Sequence, residues 1–157
     1  MINKKKTISA VIVVLALAIL TLVGVRFYSD NITYSCTGQQ KIYMKPGEYM
    51  DVWIKMNVKD KKSTMLVKGV YHNADGSQSN IYRQGNYQYQ LFGNGLIDVT
   101  LLSVQQLFKD SSPERLSNYI FGIEPGESRK FRFKEIRDGL MMFGSEYAWF
   151  YTCKIDA

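Results

Sequence analysis

An uncharged apolar segment over residues 8–25 dominates the first part of the hydropathy pattern. A helix of that length would be roughly 27 Å long, which is close to the hydrocarbon thickness of a bilayer. A cleaved signal peptide has a shorter apolar region, of about 7–15 residues, and then a small-residue cleavage site. Here the Ala-Leu-Ala pattern lies in the middle of the apolar run, at residues 16–18. The pattern therefore predicts a retained transmembrane anchor over residues 8–28.

The charges that flank this segment predict its orientation. Lys4, Lys5 and Lys6 precede the segment, whereas Arg26 and Asp30 follow it. Basic residues stay on the cytoplasmic side of a membrane, so residues 1–7 should form a cytoplasmic tail. Residues 31–157 should then form an exported domain. A short lysine tail and brief anchor are typical of bacteria, and we expect a single-pass inner-membrane protein with a periplasmic C-terminal domain.

Beyond residue 30 the pattern changes to alternating apolar and polar positions, typical of half-buried strands. The clearest case is residues 50–58, and Asn-Ala-Asp-Gly at 73–76 is a strong hairpin signal. Gly-Asn-Gly at 93–95 predicts a break, and residues 101–107 are compatible with either strand or helix. Ser-Ser-Pro-Glu-Arg at 111–115 predicts the start of a short helix with a serine cap, ending near Tyr119 or Gly122. We interpret the following further stretches as strands: 32–36 (which 41–44 could continue), 65–71, 79–83, 87–92, 129–136, 140–143 and 147–155.

These elements sum to seven to nine short strands and one small helix. Many short strands separated by regular turns indicate an all-β architecture. The predicted fold is therefore mainly β: an antiparallel sandwich or small barrel-like sheet with one short helix, preceded by a single N-terminal transmembrane helix.

Two cysteines, Cys36 and Cys153, stand near opposite ends of the predicted domain. An even number of cysteines in an exported domain favours a disulfide, and two cysteines allow one pairing. A metal pair or a reactive thiol is disfavoured, because the sequence has no Cys-x-x-Cys spacing and no nearby histidine. We therefore predict a structural disulfide between the first and last strands.

Charge and motif content exclude several functions. The chain carries a formal charge of +6, half of it in the first 30 residues, and the basic residues of the exported domain are scattered. Nucleic-acid binding is not expected. His72 is the single histidine, and no triad, zinc pattern or phosphate-binding loop accompanies it. We predict no catalytic, cofactor-binding or metal-binding residues and identify no small-molecule substrate.

Aromatic residues are abundant, and their ordinary role in a sheet is core and cross-strand packing. A second interpretation is a partner surface, because Tyr and Trp are enriched at the centres of interfaces. The best candidate for such a surface is a charge-poor stretch that contains Tyr82, Tyr87, Tyr89 and Phe92.

The layout of the chain resembles the FidL-like family of small inner-membrane proteins of enteric bacteria. The resemblance is carried by the lysine cluster, the uncleaved anchor, Cys-Thr-Gly at 36–38 and Tyr-Thr-Cys at 151–153. It implies a structural bridge between Cys36 and Cys153. It also implies a non-enzymatic, ToxS-type role, in which the exported domain binds and stabilises the periplasmic domain of a ToxR-like membrane regulator. Alternatives are an envelope or virulence-factor assembly scaffold and, less favoured, a small hydrolase that uses carboxylates.

Overall fold

The structure is a computed structural model that describes residues 4–29, 33–92 and 96–156. The chain divides into two compact units, Met1–Ile32 and Thr33–Ala157. The first unit contains helix α1 (Lys4–Ser29). Side chains of α1 are described for residues 12–24, and all of them are exposed. Over the described part of the chain, no helix is both long enough and apolar enough to cross a membrane.

The second unit is a closed antiparallel barrel in which each strand lies beside its neighbours in the sequence. This arrangement confirms the mainly β prediction and decides for a barrel over a sandwich. Within the described residues, helix α2 (Leu116–Phe121) lies between β5 and β6. The strands are β1 (Tyr34–Tyr43), β2 (Tyr49–Lys59), β3 (Lys62–His72), β4 (Gln78–Phe92), β5 (Leu96–Gln106), β6 (Ser128–Arg137), β7 (Leu140–Gly144) and β8 (Trp149–Ile155).

The alternation predicted for the second strand is confirmed. In β2, Met50, Val52 and Ile54 are buried inside the barrel, whereas Asp51 between them is exposed. The Asn-Ala-Asp-Gly turn also forms as predicted. Gly76 adopts a φ of 83° in it, a conformation that a residue with a side chain would disfavour. Local patterns of this kind are reliable because a slip of one residue would turn every apolar side chain of the strand outward.

The region from residue 79 to 107 differs from the prediction in its continuity. The two strands predicted at 79–83 and 87–92 form one long strand, β4. A register shift between Asn86 and Tyr87 lets β4 continue along β5 through the residues between the two predicted strands. The ambiguous residues 101–106 are strand and pair with β4. The break predicted at 93–95 lies outside the described residues.

The short helix forms, but its predicted serine cap is wrong. α2 begins at Leu116 with Arg115 as its N-cap residue, and no side chain caps it. The Ser112 hydroxyl is used elsewhere, because it donates to Asp110 and accepts from Arg83. The C-terminal end of α2 agrees with the prediction, since Gly122 ends it in the left-handed conformation.

The barrel interior holds two apolar clusters. The larger cluster joins β2–β5 to α2 and includes the fully buried Tyr71, Leu101 and Leu116. The smaller cluster surrounds Cys36 and Cys153, with Met141 and Phe143 of β7 packed beside them. The first and last strands, β1 and β8, therefore meet in an apolar cluster separate from the larger one.

Gly69 of β3 is a position where the barrel leaves no room for a side chain. A Cβ atom there would lie 2.1 Å from the Asp51 carbonyl oxygen and 2.9 Å from the Val52 Cα. Both atoms belong to the backbone, so they cannot move away from the added methyl group as a flexible side chain could. We expect Gly69→Ala to lower the free energy of unfolding by about 1–3 kcal/mol, the usual cost of overpacking. Guanidinium unfolding followed by tryptophan fluorescence reports on the barrel, because Trp53 and Trp149 both lie in it.

Thr64→Ala is the matched control, since it places the same methyl group on β3 at an outward-facing position. The control should change the free energy of unfolding by no more than about 0.5 kcal/mol. Equal stability of the two variants would show that the close approach at Gly69 is absent in solution.

Candidate functional site

The seam between the first and last strands is the least complete part of the barrel. β1 pairs with β2 along its whole length. Its registered pairs with β8 are two, Cys36 with Ile155 and Thr37 with Lys154. Further up, the Gln40 amide donates to the Phe150 carbonyl oxygen at 2.5 Å, so one side-chain bond takes the place of the ladder. Within the described chain, β1 beyond Thr37 and the start of β8 thus present strand edges to each other without a backbone ladder.

Exposed aromatic side chains stand where β8 begins. Tyr147 is 93% exposed, Trp149 is 44% exposed and Phe150 is 46% exposed. Strand edges can pair with an added strand, and aromatic side chains are the residue type most enriched at interface centres. We call the part of the seam that lacks a backbone ladder, together with these three side chains, the seam surface.

The other part of the seam is closed by covalent and polar contacts. The predicted disulfide between Cys36 and Cys153 is confirmed, with a Cα–Cα distance of 5.5 Å. The Ser35 and Thr37 hydroxyls donate to the Asp156 carboxylate at 2.7 and 3.1 Å. The hydrogen bond from Ser35, aided by Thr37 and Lys55, lowers the pKa of Asp156 below its ordinary value. The seam is therefore held by the disulfide and these hydrogen bonds near Cys36, whereas toward the β7–β8 turn the two strands meet without a backbone ladder.

The four aromatic residues singled out in the sequence do not form one surface. Tyr87 and Tyr89 point into the barrel and are 7% and 6% exposed. Burial raises the pKa of Tyr87, whose hydroxyl donates to the Met65 sulfur at 3.7 Å. These two tyrosines belong to the core, the first of the two sequence interpretations, because alternation along β4 turns them inward. Tyr82 is half-buried and Phe92 is 46% exposed.

A buried arginine is the most elaborate polar feature of the domain, and the sequence analysis missed it. Arg83 occupies an inward position of β4, with a side chain that is 1% exposed. Its Nε donates to Asp110 at 3.0 Å. Its terminal nitrogens donate to the carbonyl oxygens of Ser112, Pro113 and Glu114 at 2.8–3.1 Å and to the hydroxyls of Ser112 and Ser117 at 2.9 and 2.6 Å. One side chain thereby ties the segment before α2 to the barrel interior.

Asp110 completes this buried network. Its carboxylate is fully buried and accepts from the Tyr82 amide at 2.9 Å and from the Ser112 hydroxyl at 2.7 Å. Burial on its own would raise the pKa of Asp110, but the hydrogen bonds from Tyr82, Ser112 and Arg83 outweigh burial and lower the pKa. Because the guanidinium and the carboxylate are both engaged by these protein partners, the network fits a structural role.

The remaining sequence candidate, His72, lies at the end of β3. Its ring stacks on Tyr49 with centroids 4.2 Å apart, and its Nε2 is 3.6 Å from Asp51. Among the described residues, no group of three or more His, Cys, Asp or Glu side chains is placed to hold a metal ion. The surroundings of His72 offer neither a nucleophile nor a metal-ligand set.

Comparison with known proteins does not add a function to this geometry. The sequence matches no protein-family model and no curated protein. The seam surface and the layout of the chain are therefore the two features that bear on function.

Proposed function

We propose that the barrel is the partner-binding domain of a single-pass inner-membrane accessory protein, with its N-terminus in the cytoplasm and the barrel in the periplasm. The domain binds and stabilises the periplasmic domain of a membrane-bound transcription regulator, and it is not an enzyme. This is the ToxS-type role that the resemblance to the FidL-like family implies. A partner that binds only the folded regulator stabilises it by mass action.

The observation that carries the proposal is the seam surface. It combines an incomplete strand pairing with three exposed aromatic side chains, Tyr147, Trp149 and Phe150. A strand of the regulator that adds to this edge would gain backbone hydrogen bonds, and the aromatic side chains would supply apolar contact area.

The composition of α1 supports the membrane location. The proposed anchor is residues 8–28, and the large apolar side chains described between Ile12 and Val23 are 55–69% exposed. So many exposed apolar side chains in one helix are unfavourable in water, and a bilayer would cover them. A membrane-bound protein has membrane-bound regulators as its neighbours, which is why we favour such a partner.

Co-purification from membranes tests the proposal. A tagged full-length chain, crosslinked in cells and solubilised in detergent, should retain a single-span regulator identifiable by mass spectrometry. Phe150→Asp should reduce the recovered regulator by about tenfold, because a charge on a strand edge opposes pairing and the aromatic contact is lost. The amount recovered is compared with wild type at equal expression.

Phe108→Asp is the matched control. Phe108 is 85% exposed just beyond the end of β5, away from the seam, so this variant should recover as much regulator as wild type. Finding no regulator under conditions that preserve membrane complexes would contradict the proposed function. Equal losses in both variants would place the contact elsewhere than the seam surface.

A further inference from the structure

The outward side of β1–β4 carries aromatic and polar side chains in cross-strand rows. Strand register aligns Gln39 with Trp53, Trp53 with Lys68, and Lys68 with Tyr82. The adjacent row aligns Lys41 with Asp51. Residues directly opposite each other on one face of antiparallel strands lie within contact distance. The two rows therefore form a continuous surface, which we call the outer face and which borders the seam surface along β1.

This outer face contains a cleft of about 460 Å³. The cleft is shallow and open to solvent, so a ligand would lie along the strands and would not be enclosed. Three adjacent strands supply the lining, so the cleft is built on rigid elements and not on loops. The lining residues are Gln39, Gln40, Lys41, Asp51, Val52, Trp53, Lys68 and Gly69.

Each charged group of the cleft already has a partner within the protein, although the two lysines outnumber the one carboxylate. The Lys41 amino group lies 3.9 Å from the Asp51 carboxylate and 4.0 Å from the centre of the Tyr49 ring. His72 approaches the same carboxylate oxygen at 3.6 Å. Lys68 lies 4.7 Å from the centre of the Tyr82 ring. An anionic ligand would meet the carboxylate as well as the lysines, and it would have to displace the partners that the lysines already have. These contacts favour an uncharged polar ligand.

Trp53 distinguishes the cleft from an ordinary polar groove. It is half-buried. Strand register places Gln39 of β1 on one side of it and Lys68 of β3 on the other. An indole ring offers a flat apolar face and one N–H donor. The Gln39 amide adds a donor and an acceptor, the Asp51 carboxylate accepts, and the Lys68 ammonium donates.

We propose that this cleft binds a neutral carbohydrate, with one sugar ring stacked on Trp53. A sugar ring has an apolar C–H face that matches the indole. Its hydroxyl groups both donate and accept, which matches the mixed set of Gln39, Asp51 and Lys68. The proposal concerns a ligand class different from a regulator and is centred on Trp53 of β2, so sugar binding and regulator binding are tested by separate variants.

Calorimetric titration of the full-length protein with neutral oligosaccharides tests this inference. The probes are maltotriose, cellotriose and triacetylchitotriose, and the detergent must lack a sugar headgroup. At least one probe should bind at concentrations up to about 10 mM, which would detect even a millimolar complex. Trp53→Ala should weaken binding at least tenfold, and Gln39→Ala should weaken it several-fold with an unchanged melting temperature.

Trp149→Ala is the control, because it removes the other tryptophan, which is exposed on β8. This variant should bind the sugars as wild type does. The inference is overturned if no probe binds, if Trp53→Ala binds as tightly as wild type, or if citrate binds to the cleft in preference to every neutral sugar. Wild-type affinity in Gln39→Ala together with loss in Trp149→Ala would assign the sugar contact to the seam and would likewise overturn it.

Discussion

Replacing Arg83 with methionine is expected to lower the free energy of unfolding by about 3–5 kcal/mol, the usual cost of breaking a buried ion pair by removing one partner. The Asp110 carboxylate would remain fully buried without its 3.0 Å contact to the guanidinium. Carbonyl oxygens of the segment before α2 would also lose their donor. Methionine has a similar length and is apolar, so it fills the space without adding a polar group. Denaturant unfolding of the full-length chain, followed by tryptophan fluorescence, measures the change.

Arg137→Met is the matched control, because Arg137 is an exposed residue of β6. Its effect should not exceed about 0.5 kcal/mol. Adding Asp110→Asn to Arg83→Met should recover part of the lost stability, since no unpaired charge then remains buried. A loss below about 1 kcal/mol for Arg83→Met would show that the network is not formed in solution.

Acid titration offers an independent measurement of the same pair. The folded-state pKa of Asp110 is held below its ordinary value of 3.8. Its carboxylate therefore contributes stability above that value, and the contribution is lost as the pH falls through the lowered pKa. The variant that combines Arg83→Met with Asp110→Asn should lose less stability between neutral pH and pH 3 than wild type does.

Features that follow from local sequence chemistry were predictable. The alternation in β2 and the hairpin glycine at position 76 are set by side-chain period and backbone sterics, and both agree with the structure. The disulfide followed from compartment and cysteine count. The mainly β class required only the sum of such local signals.

Features that depend on contacts distant in sequence were not predictable. Arg83 looked like an ordinary charged strand residue, and its burial depends on carbonyl groups about thirty positions later in the chain. The same contacts explain why Ser112 fails to cap α2, since its hydroxyl is already bonded to Asp110. A strong alternation around Arg83, with Ile81 and Tyr87 facing inward, was the one available signal that this charge points into the barrel.

The seam surface and the outer-face cleft were equally hidden, because both depend on register. Nothing in the sequence reports that β1 and β8 share two registered pairs, or that Trp53 lies between Gln39 and Lys68. Periodicity assigns each side chain to a face of its own strand but leaves the neighbouring strand and its offset open. The sequence therefore identified aromatic residues as candidates but selected a stretch whose central tyrosines are buried.

The disulfide has the second large expected effect, because it closes the weakest join of the barrel. Cys36 and Cys153 are 117 positions apart in the sequence, and the chain-entropy model gives about 4–5 kcal/mol for a loop of that length. Two registered pairs, a backbone hydrogen bond from Asp156 to the Ser35 carbonyl oxygen and a few side-chain bonds also join that seam. Replacing both cysteines with alanine should therefore lower the free energy of unfolding by about that amount. Alanine is preferable to serine because both positions are almost fully buried and a hydroxyl there would need a partner.

Reduction separates the covalent bond from the loss of two sulfur atoms. Dithiothreitol should destabilise the wild-type barrel and leave the double alanine variant unchanged. Amide hydrogen exchange should show lost protection first at Cys36 and Thr37 of β1, since their pairing to β8 is short, while the long β3–β4 ladder stays protected. Uniform loss of protection would mean that the barrel loosens as a whole and that the seam is not its weakest join. A stability change below about 1 kcal/mol would mean that β1 and β8 stay together without their covalent bond, and strands held so firmly would resist an added strand, so this measurement also tests the physical basis of the proposed function.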